Sequence, residues 1–154
     1  MSNDDIVDTL NDLIETCKDG EYGFDSCAKH TQSSELRTLF LQRAAECKTA
    51  AAELEPYVVQ YGGKPDHGGS ASGALHRGWV AVRGSLVGFS DQAMLDECER
   101  GEDAALARYR KALKQELPEQ LMALVQRQEL GVQRNHDQVK ALRDRAKAGS
   151  TSST

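Results

Sequence analysis

The chain has 154 residues and a formal net charge of −5, with 39% hydrophobic and 28% charged residues. This length corresponds to about one domain and is sufficient to bury a hydrophobic core. The basic residues are scattered among acidic ones, which makes the chain a poor partner for phosphate backbones or anionic lipids. We therefore expect neither nucleic-acid nor membrane binding.

The sequence carries no visible targeting or membrane-spanning signal. Its start, residues 1–5, is acidic and polar, so no signal peptide is predicted. The most apolar stretch, residues 73–89, is interrupted by His76, Arg77 and Arg83, which argues against a membrane span. A cytoplasmic location is expected.

The cysteines are expected to be reduced thiols inside the core. None of the four forms a CxxC pair, so neither a zinc ribbon nor a thioredoxin-like motif is supported. Free cysteine commonly behaves as a small buried hydrophobe. The residues are Cys17, Cys27, Cys47 and Cys98.

Two long helices are predicted in the first half, over residues 4–30 and 33–61. Ser2 and Asp5 have the spacing of a capping box at the start of the first helix. Apolar or small residues recur at alternating steps of four and three, the pattern of a bundle helix. The second helix has the same pattern with one exception, Arg43. The connection between the helices is short, so they should be antiparallel neighbours.

A crossover separates the two halves. Residues 62–70 are rich in glycine and contain Pro65, which predicts a loop. A shorter helix is predicted over 74–89, and its glycines make it less regular.

Two further long helices are predicted over residues 91–116 and 118–147. Ser90 is a good N-cap for the first, and Pro118 suits the first turn of the second. Residues 148–154 are predicted to be a disordered tail. Residues 1–147 should therefore form one all-α domain, an antiparallel four-helix bundle with the single long crossover of ferritin-like proteins.

Several polar residues lie on or beside the apolar seams of these helices. At about 1.5 Å of rise per residue, Glu21 and Glu46 lie roughly 17–20 Å from one end of the bundle. Glu102 and Gln133 lie roughly 23 Å from the other end. All four should meet in one central layer if the crossover traverses the bundle. Charged groups on a core face are costly unless they are paired or metal-bound.

Glycines accompany this layer: Gly20, Gly101 and Gly131 lie beside the polar residues. A glycine inside a helix costs roughly 1 kcal/mol relative to alanine and usually has a reason. Room beside a polar site and close approach of two helices are equally good explanations at this point.

Three segments carry a resemblance to a known family. Residues 10–21, 74–79 and 97–103 resemble an uncharacterised bacterial family of ferritin-like four-helix bundles of unknown function, which is grouped by fold with ferritins and rubrerythrins. The resemblance extends from about Ile6 to Asp144. It implies the fold and implies no established activity.

The di-iron pattern of ferritin-like proteins has a glutamate on one helix and Glu-x-x-His on the next, each repeated once. Glu21, Glu46 and Glu102 match three of the glutamates, and His136 matches one histidine. Thr49 and Gln133 stand where a histidine and a glutamate are required. The resemblance therefore implies a degenerate site. Glu21, Glu46, Glu102 and His136, with Gln133 as a weak ligand, could hold one iron, manganese or zinc ion, or could form a buried polar network.

The sequence contains no nucleophile–base motif and predicts no catalytic residue. The favoured interpretation is a non-catalytic, stress-associated bacterial protein that works by association, as a homo-oligomer or with a protein partner. The alternative is a metal-binding protein with a residual redox or storage role. A weaker possibility is that the polar interior binds a small organic ligand.

Overall fold

The computed structural model describes residues 1–65 and 90–152, and the side chains as far as residue 148. These residues form an antiparallel arrangement of four helices with no strand among them, which confirms the predicted all-α bundle. No helix in this part of the chain is both long and apolar enough to cross a membrane. The short helix predicted over 74–89 lies outside the described residues. The helices are α1 (Asn3–His30), α2 (Ser34–Gln60), α3 (Asp91–Leu113) and α4 (Glu119–Ser152).

Three helices begin at serine caps, and the sequence predicts two of them, Ser2 and Ser90. The Ser2 hydroxyl accepts a hydrogen bond from the Asp5 amide, and the Asp5 carboxylate accepts one from the Ser2 amide. The Ser33 hydroxyl caps α2, and the Ser90 hydroxyl caps α3. Such caps satisfy amides that have no partner within the helix. They fix where each helix starts.

The helices end close to the predicted positions, with one exception. At the end of α2, Gly62 adopts a φ of 87°, a left-handed conformation that glycine accepts without strain. Helix α4 continues to Ser152, beyond the predicted end near residue 147. Between Pro118 and its end, α4 contains no proline that would break a helix earlier.

The hydrophobic core consists of two clusters at opposite ends of the bundle. One cluster surrounds Phe24, Phe40 and Met94. The other surrounds Leu10, Leu54 and Leu121. The two clusters draw on opposite ends of each antiparallel helix, so the middle turns of all four helices lie between them. Helix α1 packs on α2, α3 packs on α4, and α1 joins the two pairs through α3.

Candidate functional site

A cavity of about 630 Å³ occupies the middle layer between the two apolar clusters. Residues from all four helices line it, and acidic side chains, amides and a tyrosine lie among small apolar ones. Ligand sites in proteins have volumes of roughly 300–1,000 Å³ and combine an apolar wall with a few polar groups. The cavity has the size and composition of such a site.

Glu102 is the most unusual residue in the cavity wall. It occupies a core position of α3 and is only 4% exposed. Its Oε1 atom is buried and makes no hydrogen bond to any residue in the described part of the chain. Burial raises the pKa of Glu102 to about 8, against a smaller opposing effect of Arg43. A buried carboxylate without a partner is costly, so this group favours a proton or a bound cation.

Arg43 lies in the core of α2 and is 5% exposed. Its Nη1 donates to both carboxylate oxygens of Glu46, at 3.1 and 3.2 Å, and its Nη2 donates to the Gln138 side chain. The Asn135 amide also donates to Glu46, at 2.8 Å. The cation of Arg43 is therefore paired with Glu46, and no other cation among the described residues is paired with Glu102.

A chain of hydrogen bonds across the cavity wall connects all four helices. The Tyr109 hydroxyl on α3 donates to Gln128 Oε1 on α4 at 2.8 Å, and Gln128 Nε2 donates to the Ala50 carbonyl on α2 at 3.2 Å. Cys17 Sγ on α1 lies 3.2 Å from the Tyr109 hydroxyl oxygen. Because the hydroxyl proton is used toward Gln128, the Cys17 thiol is the donor in this contact. The chain fixes the orientation of Tyr109 beside the cavity.

The thiols near the cavity are poor nucleophiles. Burial raises the pKa of Cys17 to about 11. Burial also raises the pKa of Cys47 and of Cys98 well above the usual value. The thiolate is the reactive form of cysteine, so these side chains stay protonated and unreactive at neutral pH.

Three glycines of the central layer line the cavity, and the structure separates the two explanations for them. A Cβ at Gly20 would lie 2.8 Å from Cys47 Sγ, so this glycine permits close approach of α1 and α2. A Cβ at Gly131 would meet only Arg134 Nη2, at 3.8 Å. Gly131 therefore leaves open space beside the polar groups. Gly101, the third, is buried.

Long polar side chains bridge α2 and α4 at the edge of the cavity. Arg127 on α4 lies 2.5 Å from Glu53 on α2, and Gln128 Nε2 donates to the same carboxylate at 3.3 Å. The Arg127 side chain is 64% exposed. Surface ion pairs contribute little stability, so this contact between α2 and α4 is a weak one.

A second polar group lies outside the cavity, between α3 and α4. Glu99, Asp103 and His136 each offer one ligand atom, and these atoms lie within 4.8 Å of one another. His136 Nε2 is 2.6 Å from Asp103 Oδ1 and 3.8 Å from Glu99 Oε1. The contact with Asp103 lacks the geometry of a hydrogen bond. His136 Nε2 is therefore buried without a hydrogen bond to any described residue. Glu99 is also paired with Arg143.

The predicted metal ligands are divided between these two places. Glu46 and Glu102 line the cavity. Glu21 lies close enough to Cys47 that its charge, like those of Glu46 and Glu102, raises the pKa of that thiol. His136 faces Asp103 and Glu99 instead. Gln133 accepts a hydrogen bond from Arg110 and donates one to Asp137. Binding of one ion by Glu21, Glu46, Glu102 and His136 stays a prediction.

Sequence analysis missed two features of the site. Asp19 is 3% exposed and lines the cavity beside Gly20, but the sequence pattern pointed to Glu21, two positions later. Glu99 and Asp103 are four residues apart on one face of α3, and that spacing was a signal for a shared ligand. Their partner His136 could be found only from the packing of α3 on α4.

The comparisons with known proteins support the fold and leave the activity open. A family model described as "Domain of unknown function (DUF2383)" matches residues 5–115. No curated protein matches the chain. Among solved structures, the chain is similar to a Dps1 mutant from Mycobacterium smegmatis, with a TM-score of 0.74 and 14% sequence identity, over 90% of this chain and 95% of that chain. Similarity at this identity extends to the ferritin-like fold alone.

Proposed function

Since this chain belongs to the DUF2383 family, whose description assigns no activity, we propose a function from its geometry: a non-catalytic ferritin-like protein that works by binding. The cavity in the central layer is its binding site. The observation that carries this proposal is Glu102, which lines a cavity of about 630 Å³ with a buried and unpartnered carboxylate oxygen. Convergent polar groups and a perturbed pKa in one cavity are characteristic of functional sites.

The proposal that the protein is not a catalyst rests on the protonation of side chains in the cavity wall. Burial keeps the Cys17 and Cys47 thiols protonated, and burial also raises the pKa of Tyr109 well above its usual value. These groups position and recognise a ligand as hydrogen-bonding and apolar partners. They are poorly suited to act as nucleophiles.

A fragment screen on two variants tests this site. Gly131→Leu should place a bulky side chain inside the cavity and obstruct it, because a Cβ at Gly131 meets only the end of Arg134. We expect some fragments to raise the melting temperature of the wild type and to have no effect on Gly131→Leu. Leu130→Ala, at a neighbouring residue that is 57% exposed, serves as the control. Equal shifts in wild type and Gly131→Leu, or no shift with any fragment, would contradict the proposal.

A second candidate function is metal binding, favoured by the group of Glu99, Asp103 and His136. One histidine nitrogen and two carboxylates suit zinc, manganese or iron. A dinuclear centre of the ferritin-like type does not fit the residues present. Thr49 stands at one histidine position, Gln133 is hydrogen-bonded to Asp137, and His136 faces away from the cavity carboxylates. A single ion remains compatible with the group between α3 and α4 or with the carboxylates of the cavity.

Elemental analysis after loading with manganese, zinc or anaerobic ferrous iron distinguishes the two ligand sets. Asp103→Asn should abolish binding if the ion lies between α3 and α4, whereas Glu102→Gln should abolish it if the ion lies in the cavity. His136→Ala should abolish binding in the first case and leave it unchanged in the second. Failure of the wild type to retain any of these ions would exclude this second function.

Association with other chains is the remaining part of the proposal, as a homo-oligomer or with a protein partner in bacterial stress physiology. Large apolar side chains are exposed on α2 and α4, including Leu41, Val59 and Leu130 at 50%, 62% and 57% exposure. Single exposed apolar residues are common on monomers, so the test is the mass in solution. Light scattering that gives a monomer at every concentration, with no partner retained from lysate, would contradict association.

A further inference from the structure

We propose that the central cavity binds an organic cation, with an ammonium or amidinium group at the Glu102 carboxylate and an apolar body in the rest of the cavity. This inference rests on the proposed binding function and specifies the class of ligand. It depends on three features of the cavity: the position of its buried acid, the pairing of its basic residues, and its volume.

The deeply buried ionisable side chains in the cavity wall are acidic. Glu102 and Asp19 are 4% and 3% exposed, and both line the cavity. Glu102 Oε1 has no hydrogen-bond partner in the described chain, so an incoming N–H group gains a charge-assisted hydrogen bond without displacing an existing one. Such bonds are roughly twice as strong as neutral ones.

Of the three arginines that line the cavity, Arg134 lies beside Gly131, and the other two are engaged with other groups. Arg127 is paired with Glu53 at 2.5 Å. Arg108 donates to Thr16 Oγ1 at 3.1 Å and lies 3.8 Å from Asp12. An anionic ligand would have to compete for these cations, and would also approach the buried carboxyl of Glu102. Four acidic residues and three arginines line the cavity among the described residues, so the charge of the lining favours a cation.

The size and walls of the cavity favour an organic cation over a bare metal ion. A volume of about 630 Å³ is far larger than one ion requires and fits a drug-sized molecule. Among the described residues that line it, none is a histidine. Phe24, Val132 and several alanines supply apolar walls. Glu46 is already held by Arg43 and Asn135, so Glu102 is the carboxylate available to the ligand.

The test uses three probes with the same body and different charge: 4-phenylbutylamine, 4-phenylbutanol and 4-phenylbutyrate. Calorimetric titration of the full chain should give an affinity for the amine at least tenfold higher than for the alcohol or the carboxylate. Glu102→Gln is nearly isosteric and should reduce the affinity for the amine by tenfold or more. The affinity for the alcohol should stay within about twofold. Glu116→Gln, the same change at an exposed position, should leave all three affinities unchanged.

The possible failures point to different conclusions. If the alcohol binds as tightly as the amine, or Glu102→Gln keeps its affinity for the amine, the organic-cation proposal is wrong and the cavity remains a binding site. If no probe binds, or Gly131→Leu binds all three probes as the wild type does, both the ligand class and the proposed site are wrong. Loss of amine binding in Glu102→Gln alone, with retention in Glu116→Gln, supports the proposal.

Discussion

The two ends of the bundle and its middle layer are built in opposite ways. The ends are filled with large apolar side chains such as Leu10 and Phe40, both 0% exposed. The middle contains glycines, a cavity, and a buried acid whose Oε1 makes no hydrogen bond to any described residue. Packing at the ends stabilises the fold. The middle layer makes the bundle less stable than one whose helices were packed with apolar side chains along their whole length. A protein selected for stability alone would fill this layer, so the comparison indicates that the layer has a function.

The largest expected difference between the two regions is their response to pH. The folded state holds the proton of Glu102 up to about pH 8, whereas the unfolded chain releases it near 4.5. The unfolded state therefore binds fewer protons between these values, and the free energy of unfolding should fall as pH rises from about 4.5 to 8. The decrease from this one group is at most about 5 kcal/mol.

Denaturant unfolding across this pH range measures the effect, with Glu102→Gln and Glu116→Gln as the matched pair. Glu102→Gln should remove most of the decrease, and Glu116→Gln should retain it. The nearby groups that also act on Glu102 are Arg43, Glu46 and Asp103, and both variants keep them. Equal pH dependence in the two variants would show that Glu102 does not cause the decrease in the free energy of unfolding.

The apolar ends should be sensitive to loss of volume. Phe40→Ala removes a ring that packs against Phe24, with ring centroids 6.3 Å apart, and should lower the free energy of unfolding by about 3–5 kcal/mol. Leu41→Ala, at the adjacent and half-exposed position, should change it by less than about 0.5 kcal/mol. Chemical denaturation of both variants checks this. Similar values for the two would contradict the assignment of Phe40 to the core.

The hydrogen-bond chain of the middle layer should contribute an intermediate amount. Tyr109→Phe leaves Gln128 Oε1 and the Cys17 thiol without their shared partner, which should cost about 1–3 kcal/mol. Tyr22→Phe, at a residue that is 41% exposed, is the control and should be nearly neutral. A neutral Tyr109→Phe would mean that the chain does not hold the wall of the cavity together.

The smallest expected effects distinguish the two kinds of glycine. Gly131→Ala has room for its methyl group and should raise the free energy of unfolding by about 1 kcal/mol through helix propensity alone. Gly20→Ala would press against Cys47 Sγ, so it should be neutral or destabilising, and Cys47→Ala in the same chain should relieve it. Thermal unfolding of the three variants is sufficient. Stabilisation by Gly20→Ala alone would contradict the close approach of α1 and α2.

Hydrophobic periodicity and capping residues were sufficient to predict the bundle. The seam positions of α1 and α3 placed Leu10, Cys98 and Glu102 correctly in the interior, because heptad spacing determines which side of a helix is buried. Counting residues at a fixed rise from the helix ends predicted the level of the polar layer, and two of its four members, Glu46 and Glu102, line the cavity. Local sequence therefore indicates both which side of a helix is buried and how far a residue lies from the helix end.

Contacts between helices could not be predicted in the same way. His136 lies on a flank of α4, and a small rotation of that helix decides whether it meets the cavity or Asp103. Arg43 was recognised as an exception in its seam, but its pairing with Glu46 depends on side-chain conformation. Neither the presence of a cavity nor the isolation of Glu102 within it follows from spacing, because both depend on how closely α2 approaches α4.

The most direct measurement is an NMR titration of the Glu102 carboxyl group, with selective ¹³C labelling of glutamate and assignment through Glu102→Gln. A pKa of about 8, which falls when 4-phenylbutylamine is added, is the expected result. The contradictory result would be a Glu102 carboxyl that titrates near 4.5 in the free protein and does not respond to the amine. That result would exclude both a buried, unpaired carboxyl group and the role of the middle layer as a binding site.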